Sequence, residues 1–221
     1  MTQPTTNPGS DNTRRWAGLS GIAVVVLFGV GSALWGLHMP HSGAPGAEII
    51  EFYRETADRI VVGASLSLLA IPAFVLFAAA VRHLITDADG DDVLATTVFG
   101  GALLGLAAGL GAETINMVGA VRASDGQLTR PLAQSLFEIS QVLGSTAAGV
   151  GIGVFALATA AAALRTGLIL PRWIAIISGI IGVSLLSPVS RINVVSGSAL
   201  LLLTSIIALP LLRTAAEEPN A

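Results

Sequence analysis

Between Val93 and Val121 the chain carries a single ionisable side chain, Glu113, and between Ile139 and Leu164 it carries none. A helix in water needs a polar face. A stretch without one has to be surrounded by apolar matter. Apolar runs of about 20 residues match the thickness of a bilayer's hydrocarbon core, so these two predict membrane-spanning helices. The composition agrees. The 221 residues have a mean hydropathy of +0.78, are 53% hydrophobic and only 11% charged, where a soluble domain carries about 25% charged residues. Too few charges exist to cover a water-facing surface. The fold class expected is therefore all-α, an integral membrane bundle.

Six spans can be placed along the chain. Met1 to Thr13 is polar and rich in Thr, Asn and Pro, and is expected to be a disordered tail. The membrane domain covers residues 14–213, and 214–221 is a second tail. Arg14 and Arg15 precede the first apolar run, Trp16 to Leu37. Thr13-Arg14-Arg15 has the form of a twin-arginine export signal, but the run is longer than a signal's apolar core and more spans follow, so it reads as a first transmembrane helix. After a loop, His38 to Ala44, residues 45–59 are amphipathic. Ile49, Tyr53 or Phe52, Ala57 and Ile60 make one side, and Glu51 with Arg54 and Glu55 with Arg59 pair at helical spacing. An interfacial helix lying on the outer membrane surface is expected there. The second span is Ile60 to Val81, with Pro72 inside it. In the loop TDADGDD, Asp87, Asp89 and Asp91 alternate like the start of a calcium loop, but Val98 stands where the bidentate Glu belongs. The loop reads instead as a turn whose last aspartates cap the next helix. The third span is Val93 to Val121, the fourth Pro131 to Leu164, the fifth Trp173 to Ser187 and the sixth Val194 to Leu212. Placing Arg14, Arg15, Arg82, Arg165, Arg172 and Arg213 inside puts both termini in the cytoplasm.

Two stripes of small residues organise the middle of the chain. Gly101, Gly105, Gly109 and Glu113 follow at four-residue spacing, with Asn116 three further on. Glu138, Gln141, Ser145, Gly149 and Gly153 make a second stripe. Small residues at this spacing let helix backbones approach closely in lipid, so the third and fourth spans are expected to pack along these stripes. Glu113 lies nine residues before Arg122, and Glu138 eight after Arg130, which would bring the two carboxylates level in an antiparallel hairpin. Glu113, Asn116, Glu138 and Gln141 are therefore the leading candidates for a binding site, because polar groups inside a span mark function by default. The same four also suit a purely interhelical role. Arg59, at the start of the second span, either snorkels outward or turns inward to pair with Glu113 or Glu138. His38 and His41, with Glu48, Glu51 and Glu55 close in sequence, are candidate metal ligands.

Other chemistry is excluded. Cysteine is absent, so no thiolate, disulfide or cysteine nucleophile exists. No phosphate loop, dinucleotide fingerprint or Gly-x-Ser-x-Gly sequence occurs, and no cofactor is expected. With a net charge of −3 and no basic block, nucleic acid is not an expected partner. All 11 basic residues are Arg, and Ala, Gly and Val are abundant, as in GC-rich bacterial genomes.

The segment LPRWIAIISGIIGV, Leu170 to Val183, with its Pro-Arg-Trp helix start and Gly179 and Gly182, resembles the bacterial membrane proteins grouped as the DUF4386 family. TRRWAGLSGIAVVV, Thr13 to Val26, is similar to that family's Arg-x-x-Gly start. The resemblance implies a six-span bundle in the plasma (inner) membrane, and it implies no activity or functional residues.

The function expected is binding or moving a small solute, a proton or a lipid at an outward-facing polar pocket. A metal-dependent membrane enzyme using the histidines is a second possibility. The third is an accessory subunit in a homo- or hetero-oligomer, packing on a partner through its glycine stripes.

Overall fold

The computed structural model of the protein describes residues 8–167 and 172–186. The expected sixth span, Val194 to Leu212, and the tail 214–221 lie outside the described residues. Within them the chain is all α-helix apart from one π turn and short loops. Helix α1 is Pro8–Gly36, α2 Gly46–Asp89, α3 Asp92–Ser124, α4 Arg130–Gln141, α5 Ala148–Thr166 and α6 Arg172–Leu185. The first helix already includes Pro8 to Thr13, ahead of Arg14, so this part of the expected disordered tail is helical.

Among the described residues, four helical stretches are long and apolar enough to cross a membrane: Gly18–Gly36, Gly46–Ala88, Asp92–Ser124 and Arg130–Thr166. Helix α6 is as apolar but has only 14 residues. The architecture is that of a multi-pass membrane protein. Its outer faces carry Leu69, Leu76, Ile176, Ile180 and Val183, all exposed. Such large apolar surfaces call for a cover, which a bilayer supplies.

The amphipathic segment is not a separate interfacial helix. It is the first third of α2, in line with the second span. The reason is continuity of the buried face. Ile49, Phe52, Tyr53, Thr56, Ile60, Ala64, Ser67 and Ala70 are all buried at three- and four-residue steps, and no Gly or Pro lies between Gly46 and Gly63 to break the run. At 1.5 Å per residue, the 44 residues of α2 reach about 66 Å, twice the thickness of a hydrocarbon core. The charged third therefore stands clear of the apolar part.

Helix α1 packs on α2, α2 on α3, α3 on α5 and α5 on α6, while α4 sits against α2 and α3. At the end near His38, the core is Trp35, Ile49, Tyr53, Ala120, Leu128 and Phe137. At the opposite end Phe77, Ile85, Val98 and Phe155 form another. We call these the histidine end and the aspartate end.

The fourth span is one helical run interrupted by the π turn Val142–Ala147. A turn closed by i→i+5 bonds takes about one residue more than an α-turn. Everything after it is rotated relative to what an unbroken 3.6-residue period would give. This overturns the second stripe. Gly151, which is not in the expected stripe, meets α3, and a Cβ there would overlap the backbone of Gly105. Gly153 faces Gly182 of α6, whose carbonyl O lies 3.0 Å from where a Cβ would stand. On α3 the expectation holds for Gly101 and Gly105, which meet α5, but Gly109 faces open space.

At the aspartate end the turn between α2 and α3 is built as expected. Gly90, at φ 65°, closes α2 by donating its N–H to Thr86 O at 3.0 Å. Asp91 caps α3, accepting from Leu94 N–H at 2.9 Å, and Arg165 at the end of α5 donates to its other oxygen at 3.0 Å. The Leu94 N–H, with the Arg165 guanidinium adding to it, holds the Asp91 carboxyl below its usual value. A lowered folded-state pKa contributes stability above the unfolded pKa, and that stability is lost as pH falls through the folded value. Asp91→Asn keeps a cap-competent side chain and removes the titration. The acid-side fall in melting temperature, measured in detergent, should flatten in this variant.

Candidate functional site

The α1–α2 loop and the first turns of α2 form a cleft of about 570 Å³ at the histidine end. Its wall on α2 is Glu48, Glu51, Phe52, Glu55, Thr56 and Arg59, and its loop wall is His38, Met39, Pro40 and His41. The α2 residues share one face because they recur at three- and four-residue steps. The loop is tied across the bundle. Gln141, in the last turn of α4, donates from Nε2 to Met39 Sδ at 2.8 Å. Glu51 is engaged by Arg54, whose Nη2 lies 2.7 Å from each carboxylate oxygen. With Arg54 on Glu51, and Arg59 on the same wall as Glu48 and Glu55, the three carboxylates outnumber the two guanidinium groups and leave the cleft mildly acidic. Both histidines are exposed. Among the described residues no group of three or more His, Asp or Glu side chains is arranged to hold a metal ion.

Below the cleft the same face of α2 continues through Gly63 to Ser67. Here α1 crosses at its closest. A Cβ on Gly31 would stand 2.7 Å from Gly63 O, and one on Gly63 would stand 2.9 Å from the Trp35 ring. Only glycine at both positions allows that approach. Ser67 is fully buried, and Glu113 of α3 faces its hydroxyl without reaching hydrogen-bond geometry. Trp35 Nε1, Ser67 Oγ and Glu113 Oε2 are buried side-chain atoms with no hydrogen-bond partner from the protein.

A second polar contact lies nearer the histidine end, one turn further along α3 at Asn116 and about four turns back along α2 at Tyr53. Tyr53, fully buried, donates its hydroxyl to Asn116 Oδ1 at 2.9 Å. Ser140 of α4 faces the same hydroxyl, and Phe137 stands edge-on to the ring at 6.5 Å. This joint is satisfied and structural.

The candidate residues are therefore divided. Glu113 and Asn116 point into the bundle, toward α2. Glu138 is exposed and does not meet Glu113, because the buried face of α4 is Ala133, Phe137 and Ser140, one residue away in phase. Gln141 serves the histidine loop. Arg59 lines the cleft and, among the described residues, pairs with neither glutamate. Ser67 and Trp35 were missed by pattern reading. The signal for them is present: Gly31 and Trp35, like Gly63 and Ser67, stand four apart, a small residue followed by a polar atom one turn on. Comparison of the chain with protein-family models, with curated proteins and with solved structures finds no match, so the chemistry of the site alone carries the functional argument.

Proposed function

We propose that this is a six-span bacterial plasma-membrane protein, both termini cytoplasmic, that binds or passes a proton or small hydrogen-bonding solute taken from the cleft at its outer face. The observation that carries this reading is Glu113 Oε2, shielded from solvent and unpartnered. Glu113 sits eight residues from Val121, about 12 Å along the helix. An ionisable group at that depth costs several kcal/mol unless it serves a ligand or takes up a proton. The acidic cleft above it would concentrate cations and protons at the entrance. The six-span count and the resemblance to the DUF4386 family both rest on the sequence, and the resemblance adds no activity.

An apolar carbodiimide reacts with protonated carboxyls in apolar surroundings and tests the reading directly. In proteoliposomes of the full chain, peptide mass analysis should find the dominant adduct on Glu113, lost in Glu113→Gln and untouched by Glu138→Gln. Modification confined to exposed carboxylates such as Glu138 would remove the proposal.

A second reading, packing on a partner subunit, draws on Gly29, Gly100 and Gly109. A Cβ at each meets nothing within 4 Å, which leaves small-residue faces open to another helix.

A further inference from the structure

We propose that Trp35, Ser67 and Glu113 jointly hold internal water below the cleft. The inference rests on the role given to Glu113 above and adds the identity of its guest. The three polar atoms left without a protein partner come from three helices, α1, α2 and α3. They gather around one crossing. A Cβ on Gly63 would lie 3.1 Å from Trp35 Nε1, and one on Gly31 would lie 3.2 Å from Ser67 Oγ. Ser67 in turn faces Glu113. The two glycines thus bring α1 and α2 into backbone contact beside both orphaned groups.

Hydrogen-bond chemistry selects the guest. An indole N–H only donates, an ionised carboxylate only accepts, and a hydroxyl does either. A bare metal cation would satisfy Glu113 and Ser67 but be repelled by the Trp35 N–H. The guest has to accept from one side and donate to the other, and water does both. Buried water characteristically makes two to four bonds to otherwise unsatisfied polar groups. Protonation of Glu113 alone does not remove the need, because Trp35 still lacks an acceptor.

The site lies below the cleft along α2. Thr56 and Arg59 line the cleft, Gly63 lies one turn below beside Trp35, and Ser67 one turn below that. Thr56 to Ser67 is about 16 Å along the helix. The ionisable groups bordering the entrance are His38, His41, Glu48, Glu51, Glu55 and Arg59. At the inner end Glu113 faces the Ser67 hydroxyl.

The chain has three tryptophans, which makes the test direct. In full-length protein bearing Trp16→Phe and Trp173→Phe, only Trp35 emits. Its fluorescence should be that of a hydrogen-bonded, hydrated indole, brighter in D2O than in H2O. Ser67→Ala, which removes one hydroxyl without adding bulk, should shift the emission to the blue and weaken the D2O effect. Glu113→Met should do so more strongly. Emission of a dry indole, indifferent to D2O and unchanged in both variants, would overturn the proposal. The outcome is separate from the carbodiimide result. A hydrated Trp35 with no adduct on Glu113 would keep the water site and refute the proton reading.

Discussion

Gly151→Leu should be the most damaging single substitution in the membrane part of this protein. A Cβ at Gly151 already overlaps the backbone N and Cα of Gly105 and comes within 2.8 Å of Gly101 O. Relief cannot come from a rotamer change, because the obstructing atoms are main chain. Helices α3 and α5 would have to separate, and with them the core formed by Val98, Ala102, Phe155 and Ala158. Overpacking a well-filled site costs about 1–3 kcal/mol when side chains can yield. Here they cannot, and a loss at or above the top of that range is expected. Thermal unfolding in detergent measures it. Gly109→Leu is the control on the same helix. Its Cβ meets nothing within 4 Å, so it should change stability by no more than about 0.5 kcal/mol. Equal melting temperatures for the two variants would show that α3 and α5 do not meet along this seam.

The second large effect is expected at Tyr53. Its side chain is the largest among the fully buried ones, and the ring packs over Gly119 and beside Phe137. Tyr53→Ala should cost about 3–5 kcal/mol, as for other large aromatic truncations. Tyr53→Phe isolates the hydroxyl. It leaves Asn116, itself only 4% exposed, without its donor, at about 1–3 kcal/mol. Adding Asn116→Leu to Tyr53→Phe should then cost less than the sum of the two single changes, since neither group is left stranded. Strict additivity would mean that the two side chains are not coupled. Tyr53 also fixes the cleft from behind, because Phe52 and Thr56 flank it on α2. Tyr53→Ala should loosen the cleft walls together with the core.

The sequence by itself determined the class of object and much of its local structure. The absence of charges across the apolar runs required helices in lipid. The caps followed from residue chemistry: Gly90 where the backbone turns left-handed, Asp91 where α3 starts. The amphipathic pattern of residues 45–59 correctly grouped Ile49, Tyr53 and Ile60 on one side, and the four-residue spacing of Gly101 and Gly105 correctly marked a close contact. Periodicity establishes which residues share a face, but it does not say which neighbour that face meets. Tertiary packing decided that. The continuous buried stripe of α2 kept the amphipathic segment in line with the span, where a surface helix had been expected. The π turn shifted the phase of everything after Val142, so Gly151 meets α3 while Gly153 turns to α6. Glu138 had been grouped with Gly149 and Gly153 across that turn, as if on one face. In the fold α4 buries Ala133, Phe137 and Ser140 instead, which turns Glu138 outward. Glu113, left without that partner, faces Ser67, a residue that looks unremarkable in the sequence because a lone serine costs an apolar run almost nothing until the fold buries it beside a carboxylate.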